Sequence, residues 1–140
     1  VIPILSATML LAILGQGCST DPVAFPAPTI ACSSPVVGNP WFLTYFGVPL
    51  GGVGGTADCC VMIGIPAPSD GSCAPGVLPV ATVGHWMPLR GNPVVVVMPT
   101  VPNDPSLRGL DVSVQALIVG HIAGRPDPVA LTNASGFRIG

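Results

Sequence analysis

An all-β domain, a β-sandwich of about seven or eight short strands, is what this sequence predicts. Three observations lead there. Eighteen Gly and eighteen Pro interrupt 140 residues, too often for long helices. Val, Ile and Thr, whose branched side chains suit a pleated surface, run through what remains. Finally, Leu110 to His121 alternates. Leu110, Val112, Val114, Ala116 and Ile118 point one way, and Asp111, Ser113, Gln115 and Leu117 the other. That is the pattern of a half-buried strand. The expected organisation is an apolar N-terminal extension over residues 1–14 followed by a β-sandwich domain over residues 15–140.

The extension, Val1 to Leu14, carries no charge, and Ser6 and Thr8 are its only polar side chains. A helix needs ~20 residues to cross a bilayer, so no transmembrane span is expected. A helix would suit Met9 to Leu14, with Pro3 in a first turn. It would, however, have no capping residue ahead of it and no polar face for solvent. As a strand, the run has one wholly apolar face and another nearly so, which suits enclosure in a core. At ~3.3 Å per residue it would reach ~45 Å, enough to leave one small domain and enter another.

Each later element has a local reason. Gly15 to Cys18 reads as a turn. Pro22 to Cys32 is extended, and Pro22, Pro26 and Pro28 restrict it to an edge because proline donates nothing to a ladder. After the turn Pro35–Pro40, Trp41 to Val48 is the most aromatic strand. Pro49 to Ala57 is a flexible glycine-rich loop, Asp58 to Ile65 a strand, Pro66 to Gly76 a loop and Val77 to Met87 a strand. Val94 to Met98 is apolar throughout and reads as a strand buried on both faces. Val101 to Gly109 is a connection with room for one short helical turn. Leu110 to His121 follows, and Pro128 to Ile139 closes the domain.

Charge narrows the function. There is no Lys and no Glu, and charged residues make up 7% of the chain, with a net charge of −2. The usual charged fraction is ~25%. A composition 49% hydrophobic is the reverse of a disordered one. Such a chain would be sticky as a free monomer, which points to assembly. Four scattered Arg make no electrostatic footprint for nucleic acid.

The C-terminal third carries Pro102-Asn103-Asp104-Pro105, Leu107, Gly109, Gln115 and a final Ile139-Gly140. In this order the chain resembles a set of short secreted all-β domains common in planctomycetes and related bacteria, with a P-N-D-P-x-L-x-G…Q…S-N…I-G pattern. Gly15-x-Gly-Cys18 and Gly38-Asn-Pro-Trp-Phe-Leu43 are similar to that family's opening. Thr132-Asn133 stands where the family has Ser-Asn, and Cys59-Cys60 is no part of the pattern. The resemblance implies an exported β-sandwich without assigned chemistry.

Five cysteines, Cys18, Cys32, Cys59, Cys60 and Cys73, fit an exported chain with disulfides. Neighbours in a strand face opposite sides, so Cys59 and Cys60 need different partners. One of them is expected to pair with Cys73, with Cys18 and Cys32 in the remaining bridging and one thiol over. No C-x-x-C and no useful His–Cys spacing is present, so no metal is expected. Catalysis finds no support either. Without Lys, Gly51-Gly-Val-Gly-Gly55 is no phosphate loop; without Glu, paired carboxylates must be Asp, and most Asp sit in turns. No G-x-S-x-G occurs. His85-Trp86 suggests a sugar-stacking pair, and Trp41, Phe42, Tyr45 and Phe46 a binding platform, but packing is the better reading of both. Asn133-Ala-Ser135 is a candidate glycosylation sequon. No enzyme and no cofactor are expected.

The sequence-level expectation is therefore a structural subunit of an extracellular filament, a homopolymer at the cell surface. The N-terminal strand, through Val1, Ile2, Ile4, Leu5, Met9, Leu10, Leu11, Ile13 and Leu14, would complete the sheet of the next copy. A head-to-tail joint of this kind does not close and so builds a fibre. The alternative is a secreted or lipid-anchored module binding a surface glycan or protein, with residues 1–17 as leader and Cys18 lipidated. Gly15, where an aliphatic residue is expected, weakens it. A small hydrolase is a third class, without a visible nucleophile–base pair.

Overall fold

The computed structural model describes residues 17–48, 55–67, 76–89, 93–124 and 126–140. The apolar run 1–14, the glycines at 51, 52 and 54, and Cys73 lie outside them. Nine strands form among the described residues: β1 (Cys18–Ser19), β2 (Thr29–Cys32), β3 (Trp41–Phe46), β4 (Thr56–Pro66), β5 (Val77–Pro88), β6 (Val94–Met98), β7 (Asp111–His121), β8 (Val129–Leu131) and β9 (Ser135–Arg138). One sheet has the order β1-β8-β7-β4-β5, with β9 also paired to β7; the other has the order β2-β3-β6. Every pairing is antiparallel. The β-sandwich expectation is met. The expected short helical turn is the 3-10 turn Pro105–Leu107, whose first amides are capped by Asp104.

Alternation decides which side chains meet between the sheets. Trp41, Leu43 and Tyr45 of β3 face Ala57, Cys59 and Val61 of β4 and Val114, Ala116 and Ile118 of β7, all of them buried in one core. β4 and β5 lose register between Ile63 and Gly64. A Cβ on Gly64 would sit 1.9 Å from the Leu78 carbonyl oxygen, so only glycine fits this close approach.

The closing stretch Pro128–Ile139 forms two strands, because β8 and β9 take successive stretches of the same β7 edge. Two expectations need correction. Val94–Met98 is not buried on both faces. Val95 and Val97 are 59% and 66% exposed, because no described residue covers the outer side of the small sheet there. The polar side of β7 is only partly solvated: Asp111 and Leu117 are exposed, but Ser113 and Gln115 are fully buried.

Gln115 explains that burial. At the break between β8 and β9, its Nε2 donates to the Thr132 carbonyl at 2.7 Å, while its Oε1 accepts from the Gly76 amide at 2.9 Å. Thr132 Oγ1 accepts from the Ala116 amide at 2.9 Å, substituting for the ladder partner that the departing chain removes. Next to it, Asn133 reaches the other sheet. Its Oδ1 accepts from Ile30 N–H at 2.7 Å and its Nδ2 donates to the Ile30 carbonyl at 3.3 Å. One amide side chain thus imitates a strand pairing and laces the β2 flank.

The residues that carried the family resemblance build the adjoining corner. Gly109 N–H donates to Ile139, Gly140 N–H to Pro35, and Val37 N–H to Gly140. Gly38, at φ 78°, donates to the Val101 carbonyl. That left-handed conformation suits glycine, and a Cβ would also press on the Asn103 side chain at 3.3 Å.

Replacing Gln115 by Ala leaves a buried N–H and a buried carbonyl without partners. The Gln115→Ala variant should lose about 2–5 kcal/mol, read as a lowered urea midpoint with unchanged slope. A loss under ~0.5 kcal/mol, the range of ordinary surface changes, would show that the clasp contributes nothing.

Candidate functional site

The flank opposite Asn133 is built differently. Among the described residues, β6 has a strand neighbour on one side only, and β5 is the last strand of the large sheet. Where β3 begins and β6 ends, the sheets enclose a cavity of about 330 Å³ lined almost entirely by apolar side chains, among them Trp41, Ile63, Ala81, Val83, Val101 and Phe137. The rings of Trp41 and Phe137 meet here at 5.7 Å. A cavity of ~150 Å³ holds a benzene, so this one has room for roughly two aliphatic side chains of that size. Ala81 is exposed and Ile63 and Val83 are half-buried, as expected where three strands face a wider sheet.

Further along the same inner face of β5 lies a polar cluster. Tyr45 Oη is 3.1 Å from His85 Nε2 and hydrogen-bonds the Cys59 thiol. Burial pushes His85 below its ordinary value, and His85 Nδ1 is buried without a partner. Both favour the neutral ring. Burial also pushes the Cys59 thiol up to about 12, against a lowering by the Tyr45 hydrogen bond, and the Cys32 thiol up to about 11, against one by Ser135. Tyr45 is raised by burial and by Cys59. Burial thus holds the two thiols and the phenol in their protonated forms and the imidazole in its neutral form.

The outer face of the large sheet carries a second cluster. His121, at the end of β7, places Nε2 2.7 Å from Asp58 Oδ2 on β4 and Nδ1 3.1 Å from Asp127 Oδ2. The hydrogen bonds to Asp58 and then Asp127 hold the imidazolium and push its titration up. Asp58 is also the direct cross-strand partner of Trp86, which is 64% exposed. The sequence pair His85-Trp86 is thus divided by the pleat: the histidine enters the core and the tryptophan faces solvent. Trp86 finds its polar neighbours on strands distant in sequence, and no local motif marks them.

The other expected site residues divide as follows. Val1 to Leu14 and Cys73 lie outside the described residues. Cys18 is disulfide-bonded. Cys32, Cys59 and Cys60 carry free thiols, which corrects the expectation that Cys59 or Cys60 bridges Cys73 and that Cys32 joins a second bridge. Cys59 is held inward by Tyr45 and Cys32 by Ser135, while Cys60 lies on the opposite side of β4, between Gly84 and Leu117. Asn133 is half-buried and spends Nδ2, the atom a glycan would occupy, on Ile30 and Ala134. Its geometry serves the fold. Of the aromatic platform, Trp41 and Tyr45 are buried, and only Phe42 and Phe46 face outward.

Compared with known proteins, the chain matches no family model and no curated protein.

Two titrations follow. Both histidines start from an ordinary value of 6.5. His121, raised, contributes stability below 6.5 and loses it as pH rises through its folded value; His85, lowered, contributes above 6.5 and loses it as pH falls through its folded value. Imidazole Hε1 shifts should therefore give two midpoints on opposite sides of 6.5, and Asp58→Asn should lower the upper one alone. Coincident midpoints would refute this assignment. Iodoacetamide followed by mass mapping should modify Cys60 in the native protein and Cys32 and Cys59 only after unfolding; native labelling of Cys59 would contradict its inward placement.

Proposed function

We propose that this chain is a structural subunit that polymerises outside the cell, the apolar run 1–14 of one copy lying along β6 of the next. The observation that carries the reading is the apolar cavity where β3 begins and β6 ends, together with a β6 edge that has no second strand neighbour among the described residues. A three-stranded sheet covers only part of its larger partner, and a fourth strand there would meet free backbone groups on one side and an apolar wall beneath. Two large side chains buried in the cavity would contribute about 3–6 kcal/mol before ordering costs, so backbone pairing along β6 must supply the rest of the joint.

The connectivity supports a head-to-tail joint. The described chain enters at Gly17 and β1, at one end of the large sheet's strand order, whereas β5 and the open flank lie at the other. Four strand spacings of ~4.8 Å separate them. A donor attached at one edge and an acceptor at the other make a heterologous contact, which propagates. Few charges on the surface suit close lateral packing. The resemblance of the C-terminal third to secreted domains supports the extracellular setting.

The test uses negative-stain microscopy and light scattering on three proteins. The full chain should form fibres, a chain lacking residues 1–14 should give monomers, and Ala81→Arg should also prevent assembly. Ala81 lines the cavity yet is exposed, so the charge obstructs entry without disturbing packing elsewhere. Unchanged fibres from either altered chain would refute the joint. Monomers from the full chain would refute polymerisation.

A further inference from the structure

The chain has two tryptophans. Trp41 is 4% exposed and buried in the core, and Trp86 is 64% exposed on the outer face of β5. An indole left mostly in water near the end of an edge strand buries little of its area for the fold. Its surroundings are unusual for this protein, in which charged residues are 7% of the chain. Asp58 stands directly across from it, and Asp58, His121 and Asp127 form one hydrogen-bonded row leading away from the indole. Each carboxylate engages His121 through Oδ2, so Oδ1 takes no part in those bonds. The side chains of Asp58, His121 and Asp127 are 69%, 40% and 55% exposed.

We propose that this row is a carbohydrate-binding platform, with a neutral pyranose ring stacked on Trp86 and its hydroxyls donating to Asp58 and Asp127. The chemistry of both halves selects that ligand. An indole face is apolar with a negative quadrupole, which matches the polarised C–H groups on one face of a pyranose. Carboxylates accept from hydroxyls in charge-assisted bonds, and a few fixed polar groups beside an apolar wall orient a ligand. His121 holds both carboxylates in place, so their positions are set before a sugar arrives. Anionic sugars and phosphates are disfavoured, because two carboxylates flank one imidazolium. The site lies on the outer face of the large sheet, away from the cavity between the sheets, and does not rest on the assembly reading.

The full-length chain is titrated with neutral oligosaccharides (cello-, laminari- and manno-series) while tryptophan emission and its quenching by acrylamide are followed. Trp41 is shielded by the core, so quenching reports Trp86. At least one neutral series should lower the quenching constant about twofold or more and shift emission to the blue, with saturation. Trp86→Ala should abolish retention of the protein in affinity electrophoresis through the matching soluble polysaccharide. Asp58→Asn should weaken it severalfold, with unchanged circular dichroism. No protection by any neutral series overturns the proposal. Protection by choline or an arginine peptide alone also overturns it, since the platform would then be a cation site. Retention that survives Trp86→Ala places the sugar elsewhere and overturns it as well.

Discussion

Three strands cannot cover the face of a sheet five strands wide, and most of this structure follows from that mismatch. The inner faces of β4, β5 and β7 are apolar apart from His85, so every stretch beyond the reach of β2, β3 and β6 must be covered by something else or left in water. At the β2 flank the cover is polar lacing, since Asn133 bonds both backbone groups of Ile30; Gly140 bonds Pro35 and Val37 at the cavity's end of the sandwich. On the β5 side the sheets are joined by the Tyr45–His85 hydrogen bond, and the apolar cavity opens beyond it, where β3 begins and β6 ends. The two flanks are thus closed to different degrees among the described residues.

The lacing concentrates on a few residues because β8 and β9 share one edge of β7. A chain that leaves a sheet and returns within three residues strips several backbone groups of their ladder partners. Each would cost about 1–3 kcal/mol if buried and unpaired. Gln115 and Thr132 take those places with side-chain groups, so the break is satisfied without water. This accounts for a glutamine at full burial on the outer face of a strand, where a leucine of similar volume would leave Gly76 N–H and Thr132 C=O unpaired.

The legible part of the fold was the part governed by local periodicity. Alternation in Leu110–His121 located the inner face of β7 correctly, and turn residues separated the strands close to their observed ends. What was not legible depends on pairing across the sequence. Ser113 and Gln115 read as solvent-facing because alternation reports two faces and does not say what covers each. Val94–Met98 read as doubly buried because an all-valine run hides which side is wet. Packing was the right reading for His85 and not for Trp86, because a strand sends such neighbours apart. The cluster around His121 joins β4 to β7 across 63 positions of sequence, and only the register reveals it. The cysteines failed for the same reason: spacing limits which thiols can meet, and the pleat decides which do.

Strand β5 carries both proposed surfaces, and the pleat keeps them separate. Ala81, Val83, His85 and Met87 point inward, and Thr82, Gly84 and Trp86 point outward, so occupation of the cavity leaves the indole in water. In a head-to-tail polymer every subunit would repeat that outward face at a fixed spacing. A single pyranose stacked on one indole is a weak contact. Repeated along a fibre against a repeating polysaccharide, it becomes a multivalent one, in which each bound unit raises the effective concentration of the next. The two proposals would thus make different demands on the same strand, an apolar inner face for assembly and an accessible outer face for sugar binding, and the alternation of β5 keeps those demands on different residues.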